Sequence, residues 1–347
     1  MIITRTPFRV SFFGGGTDYP VWFKQHGGAV LATAISHYCY ISGRILPPFF
    51  SHKHRIVWSE IERINEFSEI NHPAVREALK WMDIKSGIEI HHHGDLPARS
   101  GLGSSSAFAV GLLSMLCVLQ DKKINKRSLA ESAIYLEQTL LKESVGVQDQ
   151  IATAYGGFNK IEINQDGSHK VLPLKIDKER QEDLESRILM IYTGVSRTAS
   201  DIAKEKIKAL PKKTTELHEM RSLVDVAIDI LSSKQNLDDF GKLLNETWRL
   251  KRGLTKQISP GYVDEIYDRA IKAGALGGKL LGAGGGGFMI FYVPQEKQQS
   301  VFDALEDLLL VPFKIDENGT EVLFRHNHAY SQTSQISEKK FFKATLK

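Results

Sequence analysis

The most informative segment of the chain is DLPARSGLGSSSAFAVG, residues 95–111. Two glycines and three serines precede a long apolar run, although small polar residues there reduce packing and helix propensity. The N-terminus of a helix presents unpaired N–H groups and the positive end of the helix dipole, and glycine lets the backbone approach an anion closely. A helix cap requires only one serine. The segment therefore predicts a phosphate-binding loop that opens a helix.

Two other glycine-rich motifs fail in this sequence. A P-loop built on the Gly-Lys pair at 278–279 would place its first glycine on Ala273 and its Ser/Thr on Leu280. The spacing G-x-G-x-x-G at residues 282–287 fits a dinucleotide fingerprint, but it leads into the strand pattern GGFMIF instead of a helix. Segment 95–111 therefore remains the candidate for phosphate binding.

Composition and charge indicate a globular protein without a polyanionic partner. The chain has 347 residues, 42% of them hydrophobic and 25% charged, and its net charge is +4 from 45 basic and 41 acidic residues. The charges are interspersed, so no basic stripe favours nucleic acid, and no apolar run approaches the ~18 residues of a membrane span. Cys39 and Cys117 stand alone in apolar runs, which is typical of free thiols in a reducing compartment and predicts a cytoplasmic protein. The sequence leaves open whether the chain forms an oligomer.

The order of predicted elements favours an α+β fold with two domains. A polar segment near residues 180–187 predicts a boundary between domains at 1–185 and 186–347. Strands are predicted at residues 2–13, 29–46, 56–61, 87–93, 188–194 and 286–293, and helices at 104–120, 128–143, 200–209, 214–233, 236–250, 260–273 and 296–309. After the last helix, Asn318-Gly319 predicts the turn of a hairpin. Strands followed by blocks of helices favour α+β layers over a parallel doubly wound sheet.

Three segments, in order, resemble the motifs of the GHMP kinase superfamily. They are TPFRVSFFGGGTDYP at 6–20, LPARSGLGSSSAF at 96–108 and GGKLLGAGGGGF at 277–288. The resemblance implies a two-domain GHMP kinase fold, with a ribosomal protein S5 domain 2-like N-terminal domain, a ferredoxin-like C-terminal domain and ATP in the cleft between them. GVQDQIATAYGGFN at 146–159 and YTGVSRTAS at 192–200 make the chain most similar to bacterial D-glycero-D-manno-heptose 7-phosphate kinases. Galactokinases differ, since they carry Glu-His where Gly15-Gly16 stands here.

The resemblance also implies roles for the phosphate loop. The residues expected to bind the nucleotide are Pro97, Gly101, Leu102, Gly103, Ser104, Ser105 and Ser106. Ser105 and Glu137 match the residues that hold Mg²⁺ in the superfamily, with Glu143 as the alternative carboxylate. From the residues alone, Glu137 could equally lie on a solvated helix face.

The remaining implied roles concern catalysis and the acceptor. Asp149 in GVQDQ matches the carboxylate that takes the proton from the attacking hydroxyl, and Arg9 in TPFRV matches a basic residue beside it. Taken alone, a single loop aspartate more often stabilises a turn. The residues expected to bind the substrate are Gly16, Thr17, Asp18, Arg197, Lys251, Gly284 and Gly285, and Arg252 is an alternative cation for the acceptor's phosphate.

The implied activity is ATP-dependent phosphorylation of the C1 hydroxyl of D-glycero-D-manno-heptose 7-phosphate. The product would be the 1,7-bisphosphate, in the biosynthesis of nucleotide-activated heptose for lipopolysaccharide or capsule. Two alternatives stay open at this point: another sugar-1-kinase, for fucose, mannose or an amino sugar, and a non-catalytic sensor of sugar and nucleotide.

Overall fold

The computed structural model describes residues 1–195 and 199–326. Arg197, predicted to bind the substrate, lies outside the described residues. The strands are β1 (Ile2–Phe13), β2 (Gly28–Ile45), β3 (His54–Val57), β4 (Ile61–Ile64), β5 (Ile88–Gly94), β6 (Phe158–Ile163), β7 (His169–Pro173), β8 (Ile188–Tyr192), β9 (Gly277–Leu280), β10 (Phe288–Tyr292), β11 (Leu309–Leu310) and β12 (Glu321–Arg325).

The helices lie between these strands along the chain, some singly and others in consecutive blocks. They are α1 (Pro20–His26), α2 (Pro73–Trp81), α3 (Ser104–Leu119), α4 (Lys126–Ile134), α5 (Gln148–Tyr155), α6 (Lys178–Arg187), α7 (Ala199–Ala209), α8 (Thr214–Ser232), α9 (Asp238–Arg252), α10 (Gly261–Ala273) and α11 (Gln298–Ala304). Helix α4 continues into a π-helical segment at Tyr135–Leu140, and short 3₁₀ helices lie at Phe67–Glu69, Leu210–Lys212 and Gln295–Lys297. No helix among the described residues is long and apolar enough to cross a membrane.

The larger sheet is built around the long strand β2. Its order is β12-β1-β2-β5-β3-β4, and β6 also pairs with β2 and carries β7 at its other edge. One end of β2 pairs with β6 and the other with β5. Helix α3 packs across β1 and β2. Because α3 is apolar on nearly all sides and buried through most of its length, the loop before it is held against the sheet.

The smaller sheet is antiparallel and has the order β11-β8-β10-β9. In chain order these strands are the fourth, first, third and second, which is the ferredoxin-like arrangement that the resemblance implied. The predicted α+β class is therefore confirmed. Phe240 of α9 lies edge-on to Phe12 and Phe13 of β1, with ring centroids 5.5 and 5.2 Å apart, and 6.4 Å from Tyr292 of β10. An aromatic cluster centred on this helix residue therefore connects the two sheets.

The predicted C-terminal hairpin is wrong. Strand β12 pairs antiparallel with β1, where Ile3 lies opposite Phe324, and so joins the larger sheet. The Asn318-Gly319 turn does form, because the N–H groups of both residues donate to the carboxylate of Asp316. The strand beyond the turn pairs with the edge of β1 instead of folding back on its own neighbour. The boundary at residues 185 and 186 remains a prediction.

Candidate active site

The loop before α3 has the backbone geometry of an anion site. Gly101 and Gly103 have φ angles of 85° and 73°, a left-handed region that favours glycine. Gly103 is the N-cap of α3 and has no side chain to occupy the N–H groups of the first turn. Ser104 Oγ accepts from the N–H of Arg99, and Ser100 Oγ donates to the carbonyl of Pro97, so side chains within the loop fix its shape.

The glycine-rich run at 282–287 packs directly on this loop. The N–H of Phe288 donates to the carbonyl of Ser100 at 3.0 Å, and a Cβ atom on Gly287 would lie 2.2 Å from the same oxygen. Gly284 and Gly285 face Ile258: a Cβ on Gly284 would lie 2.8 Å from its Cα, and Gly285 donates to its carbonyl. The run therefore lies between the phosphate loop and the segment around Ile258, in contact with both.

Glu137 lies beside Ser105 and Ser106 and not on a solvated helix face, the alternative that the residues alone left open. It is in the π-helical segment, where the N–H of Leu141 donates to the carbonyl of Leu136, five residues earlier. Ser105 Oγ donates to its Oε1 at 2.6 Å and Ser106 Oγ to its Oε2 at 2.7 Å, while Gln150 Nε2 also donates to Oε2. Burial raises the pKa of Glu137 to about 7, although the hydrogen bonds that these side chains donate act to lower it.

This arrangement fits a hard divalent cation. The three side chains that donate hydrogen bonds to Glu137 are neutral. None of these three therefore balances the negative charge of the buried carboxylate when it is ionised. Ser105 is exposed and supplies a hydroxyl oxygen next to the carboxylate. Within the described part of the chain, no group of three or more His, Cys, Asp or Glu residues could hold a metal ion. A magnesium ion that completes its shell with phosphate oxygens and water needs no such group. The alternative carboxylate, Glu143, is exposed.

Arg9 connects the phosphate loop to Asp149. Its Nε and Nη2 donate to the two carboxylate oxygens of Asp149 at 2.7 and 2.6 Å, while Nη1 donates to the carbonyl of Gly101 at 2.6 Å. The backbone N–H of Arg9 also donates to the carbonyl of Leu102. The Arg9 side chain is 4% exposed, whereas that of Asp149, in the first turn of α5, is 27% exposed. The carboxylate is therefore held in one orientation and stays accessible to an incoming hydroxyl.

Asp18 lies next to the same helix. It is 1% exposed, its Oδ1 accepts from the N–H of Gly16 at 2.9 Å, and its Oδ2 accepts from Gln148 Nε2 at 3.0 Å. Burial raises its pKa, and the positive charge of Lys206 opposes that rise. A Cβ on Gly146 would lie 1.9 Å from Asp18 Oδ2, so only glycine leaves room for this carboxylate.

Two residues predicted to bind the substrate, Thr17 and Lys251, donate hydrogen bonds to backbone carbonyls in the structure. The Thr17 hydroxyl is buried and lies 2.8 and 2.9 Å from the carbonyl oxygens of Gly14 and Ala29. Lys251 is 4% exposed, and its Nζ donates to the carbonyls of Leu280 and Gly282 at 2.7 and 2.8 Å. Both side chains stabilise backbone segments, so their contacts do not support direct substrate binding. Arg252, the alternative cation, donates to Asp264.

The sequence reasoning missed Lys206. This residue of α7 is 3% exposed, and its Nζ lies 4.8 Å from the centre of the Tyr19 ring. Burial lowers its pKa, and the carboxylates of Asp18 and Asp149 oppose that change. Its surroundings in the sequence, KEKIK, are typical of a solvated helix face.

Because Arg9 binds both the carboxylate and the loop, an alcohol that gives its proton to Asp149 would lie next to a phosphate on the loop. Fold and site together define a kinase that transfers a phosphoryl group to an alcohol. Comparison with family models agrees: residues 70–157 match the GHMP kinases N terminal domain and residues 227–309 the GHMP kinases C terminal domain. The chain belongs to the GHMP kinases and is an ATP-dependent enzyme of that family.

Individual relatives extend along most of the chain. It is 29% identical over 323 residues to a D-glycero-alpha-D-manno-heptose 7-phosphate kinase of Campylobacter jejuni, covering 88% of this chain and 93% of that protein. It is 28% identical to the bifunctional fucokinase/GDP-fucose pyrophosphorylase of Arabidopsis thaliana, covering 87% of this chain but 31% of that protein. A D-glycero-D-manno-heptose 1-phosphate kinase structure from Bacteroides thetaiotaomicron superposes with a TM-score of 0.77 at 23% identity, covering 94% of this chain and 100% of that one, which shows a shared fold.

Proposed function

We propose that this GHMP kinase, an ATP-dependent sugar kinase, phosphorylates the C1 hydroxyl of D-glycero-D-manno-heptose 7-phosphate to give the 1,7-bisphosphate. The observation that carries a kinase reaction is the bridge of Arg9 between Asp149 and the carbonyl of Gly101. The heptose acceptor is supported by the similarity to the Campylobacter jejuni enzyme along 88% of the chain. The product would feed the biosynthesis of a nucleotide-activated heptose.

In the proposed reaction, a carboxylate oxygen of Asp149 accepts the proton of the C1 hydroxyl. The hydroxyl oxygen forms a bond to the γ-phosphorus of ATP, and the bond from that phosphorus to the bridging oxygen breaks, which releases ADP. Arg9 keeps Asp149 in position throughout. The N-terminus of α3 and the loop at 97–106 bind the phosphates, because their N–H groups point at the negative charge.

The residues that would hold Mg²⁺ are Ser105 and Glu137. When bound, the ion neutralises charge on the phosphate oxygens of ATP. Asp18 lies on the acceptor side, where its carboxylate accepts hydrogen bonds from sugar hydroxyls. The reaction takes place in the cytoplasm, in agreement with two free, buried cysteines.

A fucose-type 1-kinase is the second candidate, because a fucokinase is 28% identical along 87% of this chain. An ADP-release assay with a panel of acceptors separates the two: heptose 7-phosphate, unphosphorylated heptose, L-fucose, D-mannose and N-acetylhexosamines. We expect the highest kcat/KM for heptose 7-phosphate, with ³¹P NMR showing the new phosphate on C1. A higher value for an unphosphorylated sugar would contradict the heptose assignment.

Asp149→Asn tests the proposed base. Loss of a general base costs roughly 10²- to 10⁴-fold in rate, so kcat should fall by that order while the affinity for ATP is retained. Asp166→Asn, at an exposed turn, is the matched control and should behave as wild type. Wild-type turnover by Asp149→Asn would contradict the assignment. Binding of sugar and ATP by the wild type without turnover of any acceptor would instead favour a sensor.

A further inference from the structure

We propose that Lys206, with Ser11 and Gln148, binds hydroxyl oxygens of the acceptor sugar next to Asp18 and so determines which sugar is phosphorylated. The inference rests on the proposed function, because its ligand is the acceptor of this kinase.

The first observation is the position of Lys206. The side chain is 3% exposed, and its Nζ makes no hydrogen bond to the residues whose side chains the structure describes, 1–195 and 203–326. A Cβ atom on Gly16 would lie 3.8 Å from this Nζ, so the ammonium group faces the glycine turn that leads to Asp18. A buried ammonium group without an oxygen partner is costly, and a ligand oxygen would supply the missing hydrogen bond.

Two more polar atoms without partners face the same turn. Ser11 Oγ and Gln148 Oε1 are both buried, and neither has a hydrogen-bond partner among the described residues. A Cβ on Gly15 would lie 3.6 Å from Ser11 Oγ and 3.7 Å from Gln148 Nε2. Gly15 therefore leaves open the space between these side chains. Because buried polar atoms in native proteins are nearly always hydrogen-bonded, several unsatisfied ones around one turn indicate a ligand.

The types of group present match a polyol. Lys206 can only donate, Asp18 and Gln148 Oε1 can accept, and the Ser11 hydroxyl can do both. A sugar hydroxyl donates one hydrogen bond and accepts others, so it can bridge the ammonium group and a carboxylate.

The charges favour a hydroxyl over the acceptor's phosphate. The charge of Lys206 is coupled to that of the buried Asp18 carboxylate, which would repel a phosphate dianion. The other two lysines buried nearby, Lys251 and Lys279, already donate to backbone carbonyls. Of these three buried lysines, Lys206 is therefore the one free to bind a sugar hydroxyl, next to the carboxylate of Asp18.

The test is Lys206→Met, compared with Lys208→Met on the same helix. Lys208 is exposed and bonds to Glu205 at 2.8 Å, so its variant should keep wild-type kinetics. For Lys206→Met we expect kcat/KM for the acceptor to fall by about 10- to 100-fold, the loss typical of a hydrogen bond to a charged group, while KM for ATP stays within about twofold. An unchanged kcat/KM would overturn the proposal.

Monodeoxy analogues of the acceptor separate hydroxyl binding from a structural role. For one analogue, wild type should show a much lower kcat/KM than with the complete acceptor. Lys206→Met should show little difference between that analogue and the complete acceptor, because the variant has already lost the contact. If every analogue loses the same factor with both enzymes, Lys206 only neutralises Asp18 and the proposal is wrong. The proposal is also wrong if the only effect of Lys206→Met is to remove the preference of the enzyme for a phosphorylated acceptor over the unphosphorylated sugar.

Ser11→Ala keeps the proposal testable if Lys206→Met does not fold. The Ser11 hydroxyl has no partner in the part of the chain that the structure describes, so its removal should leave the melting temperature unchanged and lower acceptor kcat/KM by about 2- to 10-fold. Unchanged acceptor kinetics would count against the site. If wild type fails to phosphorylate heptose 7-phosphate, only the proposed function fails, and the same variants are measured with the sugar it prefers.

Discussion

Glu137, one of the two residues proposed to hold Mg²⁺, is a buried carboxyl group whose protonation affects stability. Burial raises its pKa from 4.5 to about 7, so between these pH values the folded protein binds a proton that the unfolded chain has released. Stability from this group is therefore full below about pH 4.5 and is lost as the pH rises to 7. A cation that binds the ionised carboxylate would offset this loss.

We predict that Glu137→Gln reduces this pH dependence. Without Mg²⁺ and nucleotide, the wild type should lose on the order of 3 kcal/mol more unfolding free energy between pH 5 and pH 8 than the variant. Urea unfolding at the two pH values measures the difference. Glu131→Gln, an exposed position on α4, is the control and should follow the wild type. Equal pH slopes for Glu137→Gln and wild type would contradict the shifted pKa.

Other single residues show what the sequence could and could not reveal. Arg9, Asp18 and Asp149 lie in motifs that resemble a known family, and the structure brings them together. Lys206 lies in none of these segments. Its neighbours on α7, Lys204 and Lys208, are the same residue type and are exposed. Burial of one lysine among three depends on how α7 packs against Tyr19, a tertiary contact that local sequence does not encode.

At the scale of elements, the site depends on one irregular helix and one glycine run. The sequence predicted a continuous helix over 128–143, but the chain changes to π-helical bonding at Tyr135–Leu140. The apolar spacing of the two forms is too similar to distinguish them within a single turn. The position of the glycine run also depends on a distant element, because Lys251 of α9 donates to the carbonyl of Gly282, its first residue, and to that of Leu280 just before it.

We predict that Lys251→Met loosens the glycine run. The variant leaves two inward-facing carbonyls unpaired, which should cost about 1–3 kcal/mol of unfolding free energy. Because the run packs on the phosphate loop, KM for ATP should rise, by the same factor with phosphorylated and unphosphorylated acceptors. Lys242→Met, an exposed position on α9, is the control. A loss confined to phosphorylated acceptors would restore Lys251 as a contact of the acceptor's phosphate.

For the whole molecule, the path of the chain connects the two sheets. After β11 in the smaller sheet, the chain crosses to the larger one, where Ile315 bridges to Ile35 and β12 pairs with β1. The sequence correctly predicted a turn at Asn318-Gly319, because turn chemistry is local. It could not show which strand would pair with the segment beyond, since that choice depends on the open edge of β1.

We predict that the two sheets unfold as one cooperative unit, with one calorimetric transition and equal calorimetric and van't Hoff enthalpies. Asp316→Ala tests this, because its buried carboxylate accepts from Tyr38 Oη and the N–H groups of Asn318 and Gly319. Its loss leaves these donors unpaired and should cost about 1–3 kcal/mol, lowering the whole transition without dividing it. Asp177→Ala, exposed and without a capping hydrogen bond, is the control. Two separate transitions in wild type would show that the sheets unfold independently, although β12 follows the smaller sheet in the chain and pairs in the larger one. Melting of only one of the two sheets in Asp316→Ala would show the same.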